Sequence, residues 1–418
     1  MKPIRFKVAF ILTLMVSGCS FFPPSLQKPQ HPPTDDQKPY VIMLSMDGFR
    51  WDYASKVPTP NLDYVAANGV KAESMTPSFP TKTFPNHYSL ATGLYPDHHG
   101  IIQNTFYAND LQAGYSIGNR DAVENGAFYG GEPIWVTADK QGMKTASYFW
   151  VGSEAPVQGM HPDIWKPYQH NFPFENRVDS VVAWLQLPEN IRPHLITFYF
   201  HEPDGVGHRE GPDSHQTEEM ILRLDSLVGR ILSGLKKLSI KDQVNLIIVS
   251  DHGMGPVSPD RVVFFEDYLK PAWIDTFLGG NPTYLLQPNP GFTDSVLNAL
   301  SSVPHMKSWK KSAIPERLHY GTNPRIYDVV LVADSAWSLA LHKGFTPGRY
   351  SGGTHGYDNA NADMGAIFYA LGPAFKSGYI QPKFSNVDVY GLVAKILGLQ
   401  PAPYDGNLDD VRGMLKQP

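Results

Sequence analysis

A chain of 418 residues, 42% of them hydrophobic, is long enough for one large α/β domain or two average ones. A net charge of −5, with both signs interspersed, leaves no basic stripe, so no nucleic-acid polymer is expected as a partner. Low hydrophobicity combined with high net charge, the mark of disorder, is absent, and 37 Pro and 36 Gly point to long ordered loops around a core.

Lys2, Arg5 and Lys7 precede the apolar stretch 8–16, which is too short to span a bilayer comfortably. The stretch ends in Val16-Ser17-Gly18-Cys19, which resembles the lipobox of bacterial lipoproteins. The expectation is a signal segment over 1–18 and a lipidated Cys19, the only cysteine, so that no intramolecular disulfide can form. Several acyl chains at ~0.8 kcal/mol per buried CH₂ make a stable anchor. Ser20 leans this exported protein towards the outer membrane of a bacterial envelope. Pro23, Pro24, Pro29, Pro32, Pro33 and Pro39 make 19–39 an extended tether, ahead of a catalytic domain over 40–418.

The run 40–46 is nearly all apolar and of strand length, as in a strand buried on both faces. Similar runs lie at 144–150, 195–200, 245–250 and 365–371. Helical patterns separate them at 61–67, 133–140, 174–185, 217–237 and 387–397. The last begins Ser385-Asn386-Val387-Asp388, in the manner of a capping box. Alternation of this kind predicts an α/β fold with a mostly parallel central sheet and helices on both faces. Residues 255–341 show weak period and scattered Pro, and are read as a cap-like insertion over the site.

In open α/β sheets functional groups gather at the carboxyl ends of strands. Asp47 follows the first strand, Asp251-His252 follow the run 245–250, and Asp204 lies just beyond 195–200. Asp204 and His208 stand four apart, but the intervening Gly205 and Gly207 argue for a loop rather than a helix. His355 sits in another glycine-rich loop. Mixed imidazole and carboxylate ligands without thiolate favour zinc. Six ligands divided between two ions leave open positions for substrate, the arrangement of two-metal phosphoryl displacement. Thr83 is the candidate nucleophile: Pro85 suits a first helical turn, which places the hydroxyl at a helix N-terminus where its alkoxide is favoured.

These residues resemble the nucleotide pyrophosphatase/phosphodiesterase family of the alkaline phosphatase superfamily. The matching stretches include Met46-Asp47-Gly48-Phe49-Arg50, the string from Pro80 to Tyr88 and Glu202-Pro203-Asp204. Thr92 to Pro96, His99 to Asn104, Gly131 to Trp135, Gly207-His208, Ser250-Asp251-His252-Gly253-Met254 and Gly353-Thr354-His355-Gly356 match as well. The resemblance implies an alkaline-phosphatase-like fold and two zinc ions. Asp204, His208 and His355 would hold one; Asp47, Asp251 and His252 would hold the other, beside Thr83. It further implies that Asn104 donates to a phosphoryl oxygen and that Phe84 and Tyr168 stack on a base, with Tyr199 lining the same slot. The implied reaction cleaves nucleotide phosphodiesters or pyrophosphates to nucleoside 5′-monophosphates through a phosphothreonine. The absence of an Arg beside Thr83 favours diesters over monoesters. Two other readings remain: a lipid-headgroup phosphodiesterase or phosphonate hydrolase on the same metal core, and a non-catalytic surface binding lipoprotein.

Overall fold

The computed structural model describes residues 38–417. The expected signal segment 1–18, Cys19 and nearly all of the tether lie outside the described residues. The eight strands of the central sheet are, in chain order, β1 (Tyr40–Met46), β2 (Val70–Ala72), β3 (Thr145–Tyr148), β4 (Ile164–Lys166), β5 (Leu195–Phe200), β6 (Val244–Val249), β7 (Phe368–Leu371) and β8 (Tyr379–Gln381). Their spatial order is β8-β2-β7-β6-β1-β5-β3-β4. β1 lies at the centre, parallel to both β5 and β6, while β7 runs antiparallel to β6 and β2.

Every residue of β1 is buried, and its alternate side chains enter two different cores. Val41 and Met43 face one, with the helices α2 (Thr83–Thr92), α3 (Ile134–Lys140) and α7 (Asp388–Leu397), numbered here with the rest of their series. Ile42, Leu44 and Met46 face the other, against α1 (Pro60–Asn68), α4 (Phe174–Trp184) and α6 (His215–Leu235). A strand covered on both faces has no polar face to keep, which is why its sequence is a run rather than an alternation. Each such side chain contributes about 1.5–3 kcal/mol by burial.

The expected strand 144–150 ends early, at Tyr148, because Phe149 takes a positive φ of 71° and turns the chain. The helix expected at 387–397 begins at Asp388, whose carboxylate accepts from the Ser385 amide at 3.0 Å. Residues 204–210 depart further from expectation. Asp204–Glu210 is a helix, α5, where glycines predicted a loop. Glu202 accepts from the Val206 amide at 2.8 Å and caps its first turn. The Gly207 backbone packs closely on the segment that carries Gly353, where a Cβ would stand 2.6 Å from the Gly207 carbonyl oxygen.

Within 255–341 the weak period conceals a four-stranded antiparallel sheet: Ile274–Gly280, Thr283–Pro288, Val329–Ala333 and Met306–Lys310, in that spatial order. Its two inner strands, Thr283–Pro288 and Val329–Ala333, are apolar on both faces. Leu285, Val330 and Val332 join the core around α2, whereas Leu286, Val329 and Leu331 form a third core with Val296 and Leu300.

Candidate active site

The carboxyl ends of the three central strands are locked together by short backbone links. The Asp47 amide donates to the Phe200 carbonyl and the Asp204 amide to the Asp47 carbonyl, each at 3.0 Å. The Gly48 amide donates to Asp251 Oδ1 at 3.1 Å, and the Phe49 amide to Ser250 Oγ at 2.9 Å. Gly48 carries φ 68°, and a Cβ there would stand 2.9 Å from the Asp204 backbone, so only glycine lets the two loops meet. Asp47, Asp204 and Asp251 thereby converge.

The three expected histidines join them. Each has its Nδ1 against a backbone carbonyl at 2.8 Å: His208 on Gly353, His252 on Gly253, His355 on Thr81. An Nδ1–H donated in this way fixes the tautomer and leaves the Nε2 lone pair facing the carboxylates. His208 Nε2 lies 3.4 Å from Asp204 Oδ1, and His355 Nε2 lies 3.6 Å from the same oxygen. His252 Nε2 lies 3.0 Å from Asp251 Oδ2 and 3.4 Å from Asp47 Oδ1. Those three oxygens, Asp47 Oδ1, Asp204 Oδ1 and Asp251 Oδ2, are buried without a hydrogen-bond partner. Lone pairs set against buried, unpartnered carboxylate oxygens are costly unless cations lie between them. The donor set therefore fits metal ions of the zinc type.

The atoms fall into three overlapping groups able to hold an ion. Asp204, His208 and His355 form one, as the resemblance implied. Asp47 enters two more, with His87 and Asp251 and with Asp204 and His252. Its expected companions Asp251 and His252 are thus both at hand, but in separate groups. His87 was not singled out from the sequence. It sits one helical turn after Thr83, with Nδ1 2.9 Å from the Thr83 carbonyl and 3.3 Å from Asp251 Oδ2, and Nε2 2.8 Å from Ser45 Oγ. The i, i+4 spacing from the nucleophile candidate was the available signal.

Electrostatics follow from crowding. Burial, then the charges of Asp251 and Asp204, push the Asp47 carboxyl well above its usual range. Burial acts to raise Asp251 as well, but His252 and His87 hold it well below that range. His355 is driven well down by burial and by His252, Lys82 and His208. Lys82, brought to about 8 by burial, turns away from the site, donating to the carbonyls of Asn281 and His355 at 2.6 and 2.9 Å.

Thr83 is the first residue of α2, and its hydroxyl lies 3.3 Å from His252 Nε2. Asn104 Oδ1 accepts from the Phe84 amide at 3.0 Å, which leaves the Asn104 NH₂ as donor beside the same helix start. A cavity of about 260 Å³ opens from Asp47 and Thr83 and is lined by Phe84, Tyr168 and Tyr199 among others. Tyr199 has a second contact: its hydroxyl donates to Asp47 Oδ2 at 2.5 Å. Asp47, Thr83, Phe84, Tyr168, Tyr199 and Asp204 therefore line one cavity, while Asn104, His208, His252 and His355 each contact one of these and Asp251 contacts His252.

Residues 41–358 match the family model described as type I phosphodiesterase / nucleotide pyrophosphatase. The chain belongs to that family. Among its relatives, ectonucleotide pyrophosphatase/phosphodiesterase family member 3 of Rattus norvegicus is 39% identical over 94% of the chain and 46% of its own length. Venom phosphodiesterase CdcPDE of Crotalus durissus collilineatus is 40% identical over 93% and 48%. The chain spans about half the length of the curated relatives it matches. An inactive variant of murine ectonucleotide pyrophosphatase/phosphodiesterase 5, solved in complex with AMP, superposes with a TM-score of 0.86 at 35% identity. That match covers 91% of this chain and all of that one. The fold is thus alkaline-phosphatase-like, with the mixed central sheet described above.

Proposed function

We propose that this chain is a di-zinc phosphodiesterase hydrolysing nucleotide phosphodiester or pyrophosphate bonds to nucleoside 5′-monophosphates. The observation that carries the reading is the trio of buried, unpartnered carboxylate oxygens facing three Nδ1-anchored imidazoles beside the Thr83 hydroxyl. Asp204, His208 and His355 would hold one ion, and Asp47, Asp251 and His252 the other. Bound zinc would supply positive charge that favours the threonine alkoxide and offsets charge building on the phosphoryl oxygens.

The chain's own groups do the rest. The N-terminus of α2 presents the Thr83 hydroxyl where a helix favours negative charge. Thr83 Oγ attacks phosphorus, the bond to the alcohol or phosphate leaving group breaks, and a nucleotidyl threonine results. Water then attacks the same phosphorus and releases the nucleoside monophosphate, regenerating the hydroxyl. Asn104 donates its free NH₂ to a non-bridging oxygen. Phe84 and Tyr168 flank a base, a contact indifferent to base identity, and Tyr199 holds Asp47 in place. AMP in the similar murine protein supports a nucleotide at this cavity.

Thr83→Ala is expected to lower kcat/KM for the para-nitrophenyl ester of TMP at least roughly 1,000-fold, as removal of a nucleophile does. Zinc per chain should stay at the wild-type content. Retained turnover would reassign the nucleophile. We also propose that Cys19 carries a lipid holding the domain at an envelope membrane. Among the described residues no helix is long and apolar enough to cross a membrane.

A further inference from the structure

At the edge of the sheet remote from the active site lie two open grooves that the reaction does not use. The larger, of about 520 Å³, lies between the end of α6, the start of β6 and the end of β7, with Leu232, Leu235 and Leu371 as apolar lining. Lys236, Lys241 and Lys416 stand around it. The second, of about 510 Å³, shares Pro373 and Lys416 with the first and adds Ile396 and Lys395 of α7. All four lysines are exposed, and none makes an ion pair among the described residues. Lysines elsewhere, such as Lys56, Lys140 and Lys144, sit against carboxylates. Asp242 is the only carboxylate among the described residues that line either groove. A chain of net charge −5 thus gathers unpaired cations around one apolar surface.

Strand direction fixes which way this edge faces. β1 enters the domain here: Tyr40 pairs with Val244, a groove residue, and the Pro39 carbonyl accepts from His194 Nδ1 at 3.1 Å. The segment leading from Cys19 therefore reaches the domain beside the grooves. From Val244 towards Asp251 the chain rises about 3.3 Å per residue, which puts the active site roughly 20 Å away, at the other ends of the same strands. A single bound anion would need donors converging on one point. Here the cations are spread around two adjoining grooves with apolar surface between them. A bilayer surface offers the matching pattern, many phosphates above an acyl boundary.

We infer that this edge is a docking face for an anionic phospholipid surface: Lys236, Lys241, Lys395 and Lys416 meet lipid phosphates, and the active site lies at the end remote from the bilayer, open to soluble substrate. The inference goes beyond the proposed reaction and takes from that proposal only the membrane to which a lipidated Cys19 would hold the chain. Cations within a Debye length of about 10 Å of such a surface orient an anchored domain, but salt screens them too readily for them to hold it alone.

The test uses the full chain carrying Cys19→Ser, at low ionic strength, with vesicles of phosphatidylcholine alone or mixed with phosphatidylglycerol. The ratio of anionic to neutral partition should fall at least roughly ten-fold when Lys236→Glu, Lys241→Glu and Lys416→Glu are combined. Lys270→Glu, Lys310→Glu and Lys343→Glu together make the same change in net charge at exposed lysines elsewhere, and should leave most of the ratio. In the wild-type chain, Lys236, Lys241, Lys395 and Lys416 should be acetylated several-fold more slowly on anionic than on neutral vesicles. An unchanged ratio, an equal fall in both triple variants, or unaltered lysine reactivity would overturn the inference. So would displacement by inorganic phosphate beyond that caused by chloride of equal ionic strength, which would mark a site for a free anion. The acetylation arm needs no variant, so the inference stays testable if the charge reversals do not fold. Turnover is not read, so failure of the nucleotide reading leaves the outcome intact.

Discussion

At the scale of single residues, the site is a balance between burial and unlike charges. The Asp47 carboxyl is raised well above its usual value by burial first, then by Asp251 and Asp204. A carboxyl raised in this way stabilises the metal-free fold fully below its unfolded value of about 3.9, and that contribution is lost as pH rises through the raised value. Asp251 is lowered, so its contribution is present above about 3.9 and disappears only as pH falls. It does not oppose Asp47 in the neutral range. In chelator-treated protein the Tm advantage of Asp47→Asn over the wild type should therefore grow as pH rises above about 4, while the lowered His355 gives both proteins the same opposing slope. Restoring zinc should raise Tm by an amount that grows with its concentration, since only the folded chain gathers the ligands. A Tm difference between the two proteins that does not grow with pH would contradict the balance described.

The six ligand types and Thr83 could be picked out from the sequence because strand-end loops carry chemistry next to apolar runs. His87 could not be placed, because its contact with Asp251 crosses from α2 to the end of β6. The lysine-rimmed grooves were equally invisible: Lys236, Lys395 and Lys416 come from distant parts of the chain, and none stands in a motif.

At the scale of elements, α5 is where local propensity and packing disagree. Two glycines weaken a helix by about 1 kcal/mol each relative to alanine, yet α5 forms. Its Gly207 backbone must approach the strand Gly352–Thr354, where a Cβ on Gly353 would stand 2.6 Å from the Gly207 carbonyl oxygen and 2.8 Å from Met254. That strand carries the Gly353 carbonyl that anchors His208 and leads directly into His355. Gly353→Ala should then cost about 1–3 kcal/mol by overpacking and lower zinc content, because the anchoring carbonyl must move. Gly207→Ala meets only the flexible Met254 side chain, at 3.3 Å, and should be much milder. Denaturant midpoints and zinc per chain decide between them; equal effects would remove the backbone-contact explanation. Glycine reads in a sequence as flexibility, but here it permits proximity, and only the fold reveals what lies opposite.

At the scale of the whole molecule, the same central sheet feeds two cores through alternate residues of one strand, and a second sheet feeds a third. The lipid anchor belongs to this scale as well. Cys19→Ser should move the protein from the membrane to the soluble fraction with the para-nitrophenyl TMP activity intact, because the candidate site begins only at Asp47. Unchanged membrane association would remove the lipid proposal without touching the active site.

What the sequence alone determined was whatever depends on near neighbours in the chain: the apolar runs of β1, β5 and β6, the helices around them, and the ligand types at their ends. The tertiary structure alone decided the antiparallel placement of β7, the four-stranded sheet within 255–341, the helical state of Asp204–Glu210, and the grouping of ligand atoms around Asp47. Periodicity records how a segment is covered, but a strand apolar on both faces has none to record. Which atoms meet across a cavity depends on contacts between residues tens to hundreds of positions apart, and those exist only once the sheet has assembled.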